Sequence, residues 1–240
     1  KRELMRVDMN TVIHGMQDIQ FNPTVKKGTS DYGLLYIGIG DGGIALAGHP
    51  EVADNINHIW GSVIRINPMG SNSKNGKYGI PADNPFTDSS NAVKEIWARG
   101  FRNPHLLSWD RSGTGKMFIS NIGQHSVEEI NLGVKGADYG WPYREGTFLF
   151  DPKANPEVVY SLPPDDGHHY SDPVIQYDHD EGNAVAAGFV YNGKIKLLNG
   201  KYIFGDIPRG LLFYAENKDI QNGSQAIIKK FQLEMDGLKT

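Results

Sequence analysis

The chain has 240 residues, of which 39% are hydrophobic, 10% aromatic and 22% charged, a globular rather than a disordered composition. A formal net charge of -4 argues against a broad polyanion-binding surface, so nucleic acid is not expected as a partner. No apolar run approaches the roughly 20 residues needed to span a bilayer, and the absence of cysteine excludes disulfides and thiolate metal sites.

The segment 1–8 reads as a strand, as if the chain began inside a fold, and no signal peptide is visible. Short apolar runs punctuated by 29 glycines and 13 prolines then favour β structure. In chain order the expected strands are 18–21, 34–39, 63–67, 106–109, 116–120, 129–132, 188–191, 201–205, 211–214 and 227–233. The stretch 93–98 admits a helical turn, but Val93, Ile96 and Trp97 suit a strand better. No segment shows a long helical period with good caps.

Three of these strands repeat one pattern. Leu35-Tyr36-Ile37-Gly38-Ile39-Gly40-Asp41 resembles both Met117-Phe118-Ile119-Ser120-Asn121 and Tyr202-Ile203-Phe204-Gly205-Asp206, and the steps from Ile37 to Phe118 and on to Ile203 are 81 and 85 residues. Each is preceded by another short strand and followed by a polar, Gly-rich loop. Such a recurrence suggests a radial array of blades, an all-β propeller with long loops, the alternative being unrelated strands of a sandwich. The units are approximately 1–90, 91–175 and 176–240. Propellers have about 4–8 blades, so this chain is expected to be part of a ring whose missing blades lie elsewhere.

Equivalent loops of equivalent blades emerge at one end, where residues distant in sequence can converge. Before the first strand of each unit stand His14-Gly15, Arg102-Asn103-Pro104-His105 and Asn183-Ala184; after the second stand Gly40-Asp41-Gly42-Gly43, Gly123-Gln124-His125 and Asp206-Ile207-Pro208-Arg209. A histidine, two arginines and several glycines around one cleft suit an anionic or carbonyl-bearing ligand with a base nearby. Gly40-Asp41-Gly42-Gly43 lacks dinucleotide-binding spacing. Asp178-His179-Asp180 and His168-His169 lack a third imidazole at fixed spacing and are weak as transition-metal ligands. Tyr143-Arg144-Glu145 and Tyr177-Asp178-His179 could face substrate or solvent.

The motifs Tyr36-Ile37-Gly38-Ile39-Gly40-Asp41-Gly42-Gly43, Gly100-Phe101-Arg102-Asn103-Pro104 and Asp138-Tyr139-Gly140-Trp141-Pro142, with Glu128-Glu129-Ile130-Asn131 between the last two, resemble those of the glucose/sorbosone dehydrogenase family. That family includes soluble quinoprotein enzymes dependent on pyrroloquinoline quinone (PQQ). The resemblance implies a six-bladed propeller, of which this chain covers roughly three blades. It implies oxidation of an aldose at C1, with His14 as general base and Arg102 polarising the quinone. Asn103 would lie beside the cofactor, Arg209 would pair with its carboxylates, and backbone carbonyls of Gly123 and Gln124 would hold Ca²⁺. The segment from His14 to Pro23 keeps the register of the family's catalytic-histidine segment but departs at Met16 and Gln17. Partners implied are a sugar and an electron acceptor, in a periplasmic or secreted setting. A cofactor-free propeller binding carbohydrate or protein, or a sugar lyase or dehydratase, stands as the alternative.

Overall fold

The computed structural model describes residues 1–9, 11–163, 167, 169–235 and 238–239; His168 of the His168-His169 pair lies outside them. Strand follows strand with almost no helix. Among the described residues the sole α-helix, α1, spans Pro50–Ala53, and no helix is long and apolar enough to cross a membrane.

Three four-stranded antiparallel sheets hold the chain. The first is built from β1 (Met16–Phe21), β2 (Leu35–Ile39), β3 (Ser62–Ile66) and β4 (Ile96–Arg99), each paired with the next. The second begins with β5 (Pro104–Trp109), β6 (Met117–Asn121) and β7 (Val127–Leu132). A long excursion carrying the hairpin β8 (Arg144–Glu145) and β9 (Phe148–Leu149) follows, before β10 (Ile175–Asp178) returns to pair with β7. The third comprises β11 (Val185–Val190), β12 (Lys201–Asp206), β13 (Leu211–Glu216) and the short β14 (Lys229–Lys230). Short runs rich in apolar residues set these strands, buried at every position in β3, β6 and β7, and glycine and proline punctuate them. The inner strands β1, β5 and β11 pack side by side.

Residues 1–8 form no strand, contrary to expectation. Their groups are taken by side chains and loops instead: Asn75 donates to the Leu4 carbonyl at 2.9 Å and Arg2 donates to the Pro68 carbonyl at 2.6 Å. Leu4 and Met5 lie against the outer face of the first sheet. The expected strand 227–233 shrinks to Lys229–Lys230 because its apolar residues work sideways. Ile228 packs on the core, and the Phe231 amide bonds to the Leu212 carbonyl. The stretch holding Ile96 and Trp97 is strand, as its side chains favour.

Two aromatic-rich layers glue the sheets together. Between the first and second, Tyr36, Trp97, Phe101, Leu107, Trp109 and Tyr139 are buried together, with Tyr36 edge-on to Trp97 and Trp109 at 5.3 Å. Between the second and third, Phe118 stacks on Tyr202 at 4.2 Å amid Ile130, Val174, Tyr177 and Phe204. Such ring pairs add stabilisation beyond the area they bury. The inner strands line a cleft of about 450 Å³ bordered by Phe21, Leu106, Ser108, Gly188 and Phe189. Ile19, Phe21 and Phe189 stand more than half exposed on them.

Gly188 on β11 is where the third sheet accommodates the ring of Tyr202 from the neighbouring β12. A Cβ there would fall 2.4 Å from the Tyr202 hydroxyl, whose ring is fully buried and whose oxygen has no hydrogen-bond partner among the described residues. Overpacking of this kind costs about 1–3 kcal/mol. Gly188→Ala should therefore lower stability by about that amount in urea unfolding, and adding Tyr202→Phe should recover part of the loss. Equal losses in the single and double variants would show that the hydroxyl is not the obstacle.

Candidate functional site

The end of the molecule where β1, β5 and β11 begin and β2, β6 and β12 finish collects the polar loops. All three inner strands start with an irregularity: the register slips between Met16 and Asp18, between Pro104 and Leu106, and between Val185 and Gly188. Bulges bend a strand and re-aim its side chains, and they recur beside active sites. Here the first two follow the loops carrying His14 and Arg102-Asn103, and the third follows the loop whose Asn183 holds Arg209.

His14 and Arg102 meet across one acid. His14 Nδ1 lies 2.7 Å from Asp41 Oδ1, with the His14 side chain 13% exposed and Asp41 1%. The Asp41 amide donates to the Arg102 carbonyl at 2.7 Å, and the Gly42 amide to the His14 carbonyl at 3.2 Å. Gly43 N also donates to Asp41 Oδ1, at 2.8 Å, and Trp141 Nε1 to Oδ2, at 2.9 Å. His14 has φ 52°, unique among the described non-glycine residues. This left-handed backbone is strained in a side-chain-bearing residue. It is held against Gly40, where a Cβ would fall 2.6 Å from the His14 carbonyl oxygen. With a carboxylate on Nδ1, that nitrogen donates and Nε2 keeps its lone pair.

Arg102 is partly buried. Its Nε donates to Gln124 Oε1 at 2.7 Å, Nη1 to the Ile122 carbonyl at 3.3 Å, and its guanidinium lies 5.9 Å from the Trp141 ring. Burial lowers its pKa from the usual range, while Asp41, Glu145 and Glu128 oppose the shift. The Asn103 amide donates to Asn121 Oδ1 at 2.8 Å, and its own buried Oδ1 has no partner among the described residues. Asn121 in turn donates to Glu129 at 2.5 Å. Burial pushes the Glu129 carboxyl up to about 8 against that hydrogen bond, with Glu145 and Glu128 adding to the rise.

Gly123 and Gln124 lie in the turn between β6 and β7. Glu145 Oε1 accepts the amides of Gln124, His125, Ser126 and Val127 at 2.8–3.0 Å. Glu128 Oε2 accepts Gly123 N at 3.2 Å and Val185 N at 2.9 Å, and its Oε1 lies 3.0 Å from His179 Nε2. Glu128 therefore joins the second sheet to the third. Arg209 sits in the third sheet's turn, with Nε on Asn183 Oδ1 and its terminal nitrogens on the Asp180 and His179 carbonyls, at 2.5–2.9 Å. All three acceptors are neutral, so they orient the guanidinium without cancelling its charge.

Every expected site residue thus lies at this one end, tied to the next by named bonds. The pattern of the chain alone missed four supporting groups: Asp41 as the partner of His14, Trp141, Glu128 and Glu145. The excursion after β7 delivers two of them. It runs beside β4, with Tyr139 N on the Arg99 carbonyl and Trp141 N on the Gly100 carbonyl, both at 3.0 Å. Asp138 pairs with Arg99 at 2.7 Å. Gly100, at φ 80°, lets the excursion approach, since a Cβ would lie 2.6 Å from the Gly140 nitrogen.

The residues fit the implied cofactor and ion. Among the described residues the carbonyls of Gly123 and Gln124 accept no hydrogen bond, and neutral oxygens of this kind suit a hard cation. The unpartnered Asn103 oxygen suits an N–H or O–H donor on a ligand, and two arginine cations suit anionic groups on it. No group of three or more acidic, histidine or cysteine side chains could hold a metal among the described residues, so an ion here would depend on backbone oxygen.

The sequence pattern described as "Glucose / Sorbosone dehydrogenase" matches residues 14–233. The HIPL1 protein of Arabidopsis thaliana is 33% identical over 73% of this chain and 27% of its own length. The human Hedgehog-interacting protein is 30% identical over 72% of this chain and 22% of its length. The PQQ-bound aldose sugar dehydrogenase of Streptomyces coelicolor shares the fold with a TM-score of 0.61 and 22% identity, covering 92% of this chain and 50% of that one. This chain therefore spans about half of that structure and about a quarter of those relatives.

The His179–Glu128 pair makes a pH prediction. The hydrogen bond that His179 donates to Glu128 raises the His179 pKa, against a smaller opposing effect of burial. A raised imidazole pKa contributes stability that is full below the unfolded value of about 6.5 and lost as pH rises through the folded value. The urea midpoint should fall over that window in the native protein. In His179→Gln the fall should be smaller, and identical pH profiles would remove the pair from the account.

Proposed function

The chain belongs to the glucose/sorbosone dehydrogenase family, and from that premise we propose that it is the site-bearing half of a six-bladed quinoprotein that oxidises an aldose at C1. The observation that carries this reading is the meeting at Asp41 of the His14 imidazole and the Arg102 backbone carbonyl, one residue supplying a base and the other a partly buried cation.

Oxidation of a sugar hemiacetal removes a proton from the C1 hydroxyl and a hydride from C1. PQQ, when bound, supplies the two-electron acceptor for the hydride. His14 Nε2 takes the proton, because Asp41 holds the opposite ring nitrogen and steadies the imidazolium that forms. Arg102 offers positive charge in a partly buried setting, where it acts more strongly than in water. Gln124 and Trp141 keep its guanidinium in place. Asn103 would meet a cofactor oxygen or nitrogen, Arg209 its carboxylates, and the Gly123 and Gln124 carbonyls a Ca²⁺ ion. A periplasmic or secreted location would accompany this activity.

A second reading comes from the relatives. A Hedgehog-interacting protein shares 30% identity over 72% of this chain, so a binding module without chemistry is the competing proposal. One titration separates the two: the full-length protein with PQQ and Ca²⁺ should develop a bound-cofactor absorbance and then reduce a dye when an aldose is added. No spectral change with any PQQ concentration favours the binding module, and sugar conversion without an acceptor would point to a lyase or dehydratase.

Within the dehydrogenase reading, His14→Ala should cost about 10²–10⁴-fold in kcat while PQQ still binds. Turnover at the wild-type level would reject His14 as the base. Arg209→Ala should weaken PQQ binding at least tenfold in the same titration, and an unchanged affinity would remove Arg209 from the cofactor site.

A further inference from the structure

Five successive amides, residues 123–127, point at two carboxylates. Glu128 takes the first and a single oxygen of Glu145 takes the other four. Consecutive amides converging on one anion form a nest, and bonds to an ionised acceptor are stronger than neutral ones. In a planar trans peptide the N–H and C=O point in opposite directions. The amides of Gln124 and His125 are held toward Glu145, so the carbonyls of Gly123 and Gln124 must face away from it. Gly123 makes this possible, since a Cβ there would fall 1.8 Å from the Val127 carbonyl oxygen. The same fixed backbone carries the Gln124 side chain to Arg102.

Glu145 has more charge than the nest uses. The residue is 2% exposed, and its Oε2 has no hydrogen-bond partner among the described residues. An uncompensated negative charge beneath a turn attracts positive charge to that turn. Arg102 is one such charge, and a divalent ion on the outward carbonyls would be another.

We propose that Glu145 is a positioning residue that locks the 123–127 turn, so that the Gly123 and Gln124 carbonyls stay available to a cation and Gln124 stays on Arg102. This rests on the dehydrogenase reading above. Glu145 touches neither sugar nor cofactor; it acts through the turn.

The test uses Glu145→Ala and Glu145→Gln in the full-length protein, with folding verified by circular dichroism. Amide hydrogen exchange should be at least tenfold faster at 124–127 in Glu145→Ala, with β6 amides unchanged. The Ca²⁺ concentration giving half-maximal PQQ binding, read by absorbance, should rise at least tenfold, while KM for the sugar stays the same. Glu145→Gln keeps an acceptor oxygen but loses the charge, so both effects should be intermediate; it carries the same readouts if the alanine variant fails to fold. Unchanged exchange overturns the proposal. Faster exchange with an unchanged Ca²⁺ requirement overturns it as well, leaving Glu145 a structural residue only. If the wild-type protein binds no PQQ at any Ca²⁺ concentration the inference also falls, and faster exchange in the variants then locates the fault in the dehydrogenase reading rather than in the lock.

Discussion

The arrangement at the polar end depends on the buried carboxylate of Asp41. It receives the imidazole of His14, the Gly43 amide and the Trp141 indole, while its own amide binds the Arg102 carbonyl. Four segments from two sheets and the excursion between them therefore share one acid. A buried carboxylate is costly unless its lone pairs are filled, and here the donors that fill them come from His14, Gly43 and Trp141. Satisfying the acid and assembling the site are the same event.

Carboxylates repeat this role around the end of the molecule. Asp206 closes the third sheet's strand and accepts the amides of Asn183 and Ala184 at 2.6 and 2.8 Å, and Glu128 and Glu145 hold the turn of the second. Negative charge thus lies beneath the loops, while Arg102 and Arg209 are presented among them. Asp41, Glu145 and Glu128 offset part of what burial costs Arg102, while Arg209 is held by neutral oxygens alone.

Most of the strands could be read from the chain. Their short apolar runs and glycine boundaries are local, as is the resemblance among the segments ending near Asp41, Asn121 and Asp206. Ile175–Asp178 escaped notice because only four residues of pattern stand beside a proline-rich stretch. The terminal segment 1–8 misled because apolar residues that lie on a sheet look like residues that belong to one. For the candidate site, loop position and family motifs name His14, Arg102, Asn103, Gly123, Gln124 and Arg209, and the structure brings these residues to one end. Their supports were not, because partnership across 27 residues, for His14 and Asp41, or 100 residues, for Asp41 and Trp141, leaves no local trace. Glu145 looked like a substrate-facing or solvent-facing acid; burial and four converging amides were needed to show otherwise.

The hairpin beyond Glu145 has a consequence for diversification. Leu149 and Tyr160 exchange reciprocal backbone hydrogen bonds at 2.9 and 2.8 Å, and Phe150 is anchored by stacking on Trp141 at 5.0 Å. Residues 151–159 therefore leave and re-enter through a fixed gateway. The entropy of closing such a loop grows only slowly with its length. Glu157 pairs with His125 and Val159 packs on the Trp141–Phe150 cluster, but the part of that stretch before Glu157 could lengthen, shorten or be replaced, making it a place for new surface chemistry to be grafted.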